Sequence, residues 1–383
     1  MTAGTAPARP LTVVQIAPEI GPGTGVGAVA HHLEQELTAL GLRTERFTLA
    51  DAHGTWLPEP GPGIRGKLAL LARVVWFSTV GTVLARRLLA RRPDVVGLCH
   101  NDVVAGDVYV NHGILQVAMA ARGDSLRRLV RNPLHLFVVA RDHLRFRSRA
   151  HRVVVNLSAV EDAALRATYR RLAPRTTVIG NGVDLERYRP PDEAERARAR
   201  AALGLAPDDV ALVFVGHEHD RKGLPVVLDA LPLTDPRTHL VVVGGTADMT
   251  AGVRRAARAR GVEARVHLLG RQPDPRPALH AADALVLPTA YESYGLVVVE
   301  ALACGLPVVA TATGCVPDLV TDGVDGWVVE PTARSVADAV AALAVADRDT
   351  VAKAARAAAE TQAWTAVARR YAEQLTTVRQ GTA

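Results

Sequence analysis

Glu292 and Glu300 stand with seven residues between them. The first lies in a polar, glycine-containing run, Tyr291-Glu292-Ser293-Tyr294-Gly295, and the second lies inside the apolar Leu296-Val297-Val298-Val299-Glu300-Ala301. If Gly295 opens a helix, Glu292 belongs to the loop before it and projects into a cleft. The N–H groups of Gly295, Leu296 and Val297 then have no intrahelical acceptor and form an anion site. Glu300, a turn or more along, can accept hydrogen bonds from a ribose. Upstream, the strand-like Val210 to Val215 ends in Gly216-His217-Glu218-His219-Asp220-Arg221-Lys222-Gly223. Lysine is scarce here: Lys67, Lys222 and Lys353 stand among 45 basic residues. An ammonium beside a guanidinium at a strand end can neutralise a diphosphate.

The first half offers a second set of candidates. Pro22-Gly23-Thr24-Gly25-Val26-Gly27-Ala28 follows a strand and opens a helix, where glycines such as Gly25 and Gly27 let a phosphate approach the backbone. The same run can be read as a G-x-G-x-x-A dinucleotide fingerprint with Asp51 as the ribose acid, which would make the chain an NAD-dependent oxidoreductase. That fingerprint needs a tighter turn than this proline-rich loop and leaves Arg221, Lys222, Glu292 and Glu300 without a task. His100 and His112 end two successive strand-like runs. Arg271, after Gly270, is a candidate for packing on a base. Asp347-Arg348-Asp349 is a literal D-x-D, but it falls in a helical tail far from the other motifs, so no metal ligand set is expected. A hydrolase with paired carboxylates would leave the phosphate-binding elements unexplained.

These groups need a scaffold that gathers strand ends. Leu11 to Ala17, Arg43 to Ala50, Val95 to Leu98, Val108 to Val110 and Val153 to Asn156 read as strands. They alternate with helices to about Leu40, over about 66–92 and 114–150, and from Ser158, where Glu161 completes a capping box. The turn-rich segment from Gly180 through Arg189-Pro190-Pro191 reads as a domain boundary. Strands then recur at Val210, Leu240, Val266, Ala284 and Pro307 with helices between them, and the tail from about Ser335 is helical. The pattern is α/β, doubly wound twice, with a cleft between two domains.

The 383 residues suit two domains, and 49% apolar with 22% charged residues are globular values. Cys99, Cys304 and Cys315 show no metal spacing and suit a reducing compartment. Residues 1–10 lack an apolar signal core, so a cytoplasmic protein is expected. Leu68 to Ala85 is apolar but carries Arg73, which favours a partly buried or interfacial helix over a membrane-crossing one. The net charge is +6, and the basic excess falls in the first half. Arg122, Arg127, Arg128, Arg131, Arg141, Arg145, Arg147, Arg149 and Arg152 suggest an anionic partner there, such as a membrane surface. No basic motif interleaved with aromatics points to nucleic acid.

The E-x7-E pattern, the Arg221-Lys222 loop, Asn181-Gly182-Val183-Asp184 with Tyr188-Arg189-Pro190, and Gly314-Cys315-Val316-Pro317-Asp318 together resemble glycosyltransferase family 4, retaining enzymes of the GT-B fold. The resemblance spans most of the chain. It implies residues 1–178 as an acceptor-side domain completed by a helix at about 365–383, and 179–364 as a nucleotide-sugar domain. It implies that Arg221 and Lys222 hold the leaving diphosphate. Glu292 and His112 would contact the donor sugar, Glu300 the ribose, and Ser293 and Tyr294 would flank sugar and phosphate. His217 stands where the common pattern has arginine, as in the lipopolysaccharide-core type. The resemblance also implies a UDP- or GDP-sugar donor, no metal, and a glycan, lipid-linked or small-molecule acceptor. A sugar-nucleotide epimerase of the same fold is a further alternative.

Overall fold

Valine-rich runs build two sheets. Strands β1 (Thr12–Ile16), β3 (Val95–His100), β4 (Val108–Asn111) and β5 (Val153–Asn156) are buried along their whole length, as parallel strands covered on both faces must be. In the computed structural model, which describes residues 11–23, 25–121, 123 and 132–381, they join β2 (Arg43–Phe47) and β6 (Arg175–Val178) in a parallel sheet of order β2-β1-β3-β4-β5-β6. A second parallel sheet has the order β12-β11-β10-β7-β8-β9. Its strands are β7 (Val210–Val215), β8 (Thr238–Val243), β9 (Val266–Gly270), β10 (Ala284–Leu287), β11 (Val308–Ala310) and β12 (Gly326–Val328). The winding reverses between β1 and β3 in one sheet and between β7 and β10 in the other. Crevices for ligands open outside the carboxyl ends of strands at such switch points.

The two-sheet α/β architecture agrees with the sequence reading, but several elements differ. The single helix expected over 114–150 is interrupted. Leu115–Ala121 is one helix, and Pro133–Arg147 starts afresh with Pro133 in its first turn and Asn132 capping the Leu134 N–H at 3.1 Å. The helix Glu193–Ala202, closed by an Asp192/Glu195 capping box, falls where the sequence suggested only a boundary. Ser158 does cap the helix Ala159–Tyr169 through the Glu161 N–H at 3.2 Å. The Glu161 carboxylate, however, leaves the box and crosses to Tyr291.

Helices Gly63–Trp76 and Thr82–Arg91 join through a π-turn, Phe77–Gly81, into a stretch long and apolar enough to cross a membrane. Its Gly66, Ala69, Phe77, Gly81 and Ala85 are buried, whereas Ile64 and Leu68 are 78% and 58% exposed. Within the arginine cluster Arg147, Arg149 and Arg152 are exposed, whereas Arg141 and Arg145 turn inward. Arg145 is fully buried, bonded to Asp142 at 2.6 Å and to the carbonyls of Asn101, Asp102 and Val103, with its guanidinium 4.1 Å from the centre of the Tyr109 ring. Arg141 pairs with Asp102 at 2.7 Å, and Arg152 donates to the Val378 carbonyl. Composition counts charges but cannot see these internal acceptors. Arg122, Arg127, Arg128 and Arg131 lie outside the described residues.

The last helix, Trp364–Arg379, returns to the first sheet and packs on β3 and the helix Val26–Ala39. Its Val367, Ala368, Tyr371, Leu375 and Val378 are buried, and Trp364 stacks on His32 with ring centres 5.3 Å apart.

Candidate active site

At the β7/β10 switch point, a lysine, an arginine and a glutamate meet. The Lys222 stem lies over Gly216, where any side chain would fall 2.2 Å from its Cδ. Lys222 Nζ then reaches Glu292 Oε1 at 2.6 Å, and Arg221 Nη1 stands 3.4 Å from the same oxygen. Arg221 also donates through Nε to Glu218 at 2.8 Å and through Nη1 to the Tyr291 carbonyl. The Arg221 carbonyl accepts from the Ala290 N–H and the Thr289 hydroxyl at 3.0 and 3.1 Å, which ties the loops after β7 and β10 together. Gly314, at φ 54°, lies so close that a Cβ there would sit 2.3 Å from the Tyr294 carbonyl. Lys222 and Arg221 share Glu292 while Glu218 balances Arg221 from its other side, so an anion that displaces Glu292 finds both cations already in place.

Gly295 is left-handed at φ 89° and precedes the helix Leu296–Ala303. The N–H groups of Leu296 and Val297 therefore come before any intrahelical acceptor, beside the cationic pair. Glu292, Arg221, Lys222, Gly295, Leu296 and Val297 come together as the sequence suggested.

A cavity of about 310 Å³ between the domains continues from this point. Gly23 and Gly25 line it from the first domain, and Gly216, His217 and Glu300 from the second. The Tyr188 hydroxyl lies beside Glu300. Burial raises the Glu300 carboxyl above its ordinary pKa, opposed by the neighbouring Tyr188 hydroxyl and by Arg187 and Lys222. His217 Nδ1 accepts from the Gly245 N–H at 3.3 Å, so the neutral ring carries its proton on Nε2. Gly25, at φ 78°, adopts a backbone that needs glycine. Gly27 does not line this cavity: a Cβ there would lie 2.9 Å from the Glu19 carbonyl, so its bareness serves helix–loop packing.

Across the cleft, His112 follows β4 and bonds His100 at 3.1 Å. A side chain at Gly113, the next residue, would lie 3.2 Å from the Tyr291 hydroxyl and 3.5 Å from Ser293 Cβ. Tyr291 donates to Glu161 at 3.2 Å and accepts from the Ile114 N–H at 3.2 Å. The Ser293 carbonyl accepts from Ser158 at 3.3 Å. Ser293 and Gly113, the residue after His112, thus meet at one seam.

Tyr294 does not. It is 3% exposed, its ring packs over Gly180 and its hydroxyl donates to the Asn181 carbonyl at 2.9 Å. The expectation that it flanks a ligand is corrected: its side chain braces the domain boundary. Gln272 and Pro273, not Arg271, line the cavity, and Tyr188 and Arg187 join them. Tyr188 was visible within a motif that reads as structural, whereas Gln272 gave no signal. Asp51 accepts from the N–H and hydroxyl of Thr48 at 2.7 and 2.9 Å and stands outside the cavity. Asp347 and Asp349 are exposed, and among the described residues no group of three His, Cys, Asp or Glu side chains is placed to hold a metal ion.

Two parallel six-stranded sheets that share one cavity at their switch points define the GT-B fold of glycosyltransferases. Residues 195–361 match the sequence model described as Glycosyl transferases group 1. The chain is similar to the D-inositol 3-phosphate glycosyltransferase of Mycobacterium marinum, 39% identical over 186 residues, a match covering 47% of this chain and 39% of that protein. The chain thus spans about two fifths of that relative's length. Among solved structures, WaaG, a glycosyltransferase involved in lipopolysaccharide biosynthesis, aligns with a TM-score of 0.73 and 19% identity over 95% of this chain and 99% of its own. HepE of Anabaena, in complex with UDP and glucose, aligns with a TM-score of 0.65 and 22% identity over 96% and 100%. At these identities the likeness is one of fold.

Proposed function

We propose that the protein is a retaining glycosyltransferase that moves a sugar from a nucleoside diphosphate sugar to an acceptor hydroxyl. The observation that carries this reading is the Lys222–Glu292–Arg221 cluster at the mouth of a cavity that Glu300 lines. A nucleoside fits the cavity with its ribose on Glu300, and its diphosphate displaces Glu292 from Lys222 and Arg221. The anomeric C–O bond to the diphosphate breaks, and the two cations and the Leu296 and Val297 N–H groups take up the charge on the departing oxygen. The acceptor hydroxyl attacks the same face, and its proton passes to that phosphate oxygen. Glu292, freed from the cations, meets hydroxyls of the transferred sugar, as does His112. In this scheme no metal is required.

The donor binds mainly to residues 179–364. The acceptor lies against residues 1–178 with the returning helix, and domain closure excludes water. The presence of UDP in the HepE complex favours a uridine donor as the first to try. The exposed Ile64 and Leu68, interleaved with exposed Arg65 and Lys67, suit a peripheral contact with anionic lipid at the cytoplasmic face. Co-sedimentation with vesicles that does not depend on anionic lipid would remove that part.

Thermal-shift titration with UDP, GDP, ADP and NAD in the presence of EDTA tests the core of the proposal. A ligand at a hundred times its Kd adds about 2.7 kcal/mol. The expected result is a shift with one nucleoside diphosphate that Lys222→Ala and Glu300→Ala abolish. A shift with NAD alone would overturn the transferase reading.

A further inference from the structure

Three side chains of the first sheet form a hydrogen-bond chain whose polarity is fixed at one end. Gln15 on β1 and His100 at the end of β3 are fully buried, and His112, part-buried, follows β4 one residue before Gly113 at the seam. Gln15 Nε2 donates to the Ala30 carbonyl at 3.1 Å, which leaves Gln15 Oε1 facing His100 Nε2 at 3.0 Å. His100 Nδ1 lies 3.1 Å from His112 Nε2.

The Ala30 carbonyl can only accept, so the Gln15 oxygen must accept from His100, whose Nε2 must carry a proton. Burial, with His112 beside it, holds the His100 pKa well below the ordinary histidine value, so the ring is neutral and its Nδ1 is a lone pair. His112 must then donate through Nε2. Turning the Gln15 amide over would set two acceptors face to face at Ala30, an arrangement that costs a buried hydrogen bond. His112 Nδ1 makes no hydrogen bond among the described residues. Burial pushes the His112 pKa down to about 4, so near neutral pH this nitrogen is a bare acceptor.

We propose that Gln15 and His100 are positioning residues that lock His112 as its Nε2–H tautomer, so that Nδ1 meets the substrate only as a hydrogen-bond acceptor. The chemical class it meets, a sugar hydroxyl, rests on the transferase reading; the tautomer does not. A histidine held the other way would present an N–H to that hydroxyl and compete with its role as a donor.

Long-range proton–nitrogen NMR of the full chain labelled with 15N-histidine tests this, with the His112 signals assigned by their loss in His112→Asn. In the native protein His112 is expected to show a protonated Nε2 and a lone-pair Nδ1. Gln15→Leu, which removes the acceptor, is expected to mix the two tautomers, and Gln15→Glu, which keeps one, to preserve the native signature. With an active donor, Gln15→Leu should lower kcat about tenfold and leave nucleoside diphosphate affinity unchanged. A native His112 protonated at Nδ1 overturns the relay and leaves the transferase reading standing. The same holds if a folded Gln15→Leu keeps the tautomer unmixed. A native tautomer as stated, in a protein that binds no nucleoside diphosphate, supports the relay and overturns the sugar hydroxyl. Should Gln15→Leu fail to fold, the native spectrum and Gln15→Glu still decide.

Discussion

Glu161→Gln isolates one buried acid at the seam between the domains. Glu161 is 1% exposed and accepts the Tyr291 hydroxyl at 3.2 and 3.3 Å. Burial pushes its pKa from 4.5 up to about 7, against the lowering effect of the Tyr291 hydroxyl and the nearby Ile114 N–H. The folded pKa lies above the unfolded one, so the folded state binds more protons between the two values. The stability linked to this group is fully present below about pH 4.5 and is lost as the pH rises through about 7. With these two values the loss between pH 5 and pH 8 is about 2.5 kcal/mol, as an order of magnitude. Glutamine keeps the shape and still accepts from Tyr291 but does not titrate. Denaturant unfolding of both proteins at pH 5, 6, 7 and 8 gives the difference between them at each pH, in which the other titrating groups cancel. The advantage of the glutamine protein should grow by about 2–3 kcal/mol from pH 5 to pH 8. Parallel curves would refute the reasoning, since they would mean that Glu161 titrates as it does in the unfolded chain.

Three further outcomes follow from the same geometry. Gly182→Ala would put a Cβ 2.2 Å from Trp364 Cδ2, and a fall in Tm equivalent to about 1–3 kcal/mol is expected. Tyr294→Phe should cost about 1 kcal/mol by orphaning the Asn181 carbonyl while leaving nucleoside diphosphate affinity unchanged in titration; a large loss of affinity would return Tyr294 to the binding site. Cys99, Cys304 and Cys315 are buried, and burial pushes the first two thiols up to about 12 and the third higher still. A thiol reagent at pH 7 should label none of them in the native protein and all of them after unfolding, and fast labelling of any one would contradict the packing.

The strands were legible because parallel strands buried on both faces read as unbroken apolar runs, and β7 and β10 are of that kind. The Glu292–Glu300 pair and the Arg221-Lys222 loop were legible because each sits beside a strand end, where few residue types satisfy both the turn and the ligand. What escaped is whatever depends on a partner far along the chain. Local spacing reads Ser158 and Glu161 as a cap, but the carboxylate's destination is Tyr291, 130 positions away. Tyr294 sits among ligand-facing neighbours, and no period tells which way one loop residue turns. Arg141 and Arg145 look like surface charge until their acceptors are seen. The helix Glu193–Ala202 is too polar to show an apolar stripe, and its Asp192 cap was hidden by the prolines before it. Gln272 and Pro273 come from a loop without pattern, so only the fold brings them to the cavity.

The return of Trp364–Arg379 to the first sheet sets the order in which the molecule can be finished during synthesis. A ribosome delivers β1 to β6 first, then the whole second sheet, and only afterwards the helix that packs on Val26–Ala39 and β3. The domain made first is therefore completed last. Through most of translation the nascent chain shows an uncovered apolar strip where Val367, Tyr371 and Leu375 will dock, a natural station for a holding chaperone. Severing the chain between the sheets would likewise not release two self-sufficient halves, because the first would lack a wall that the second still carries.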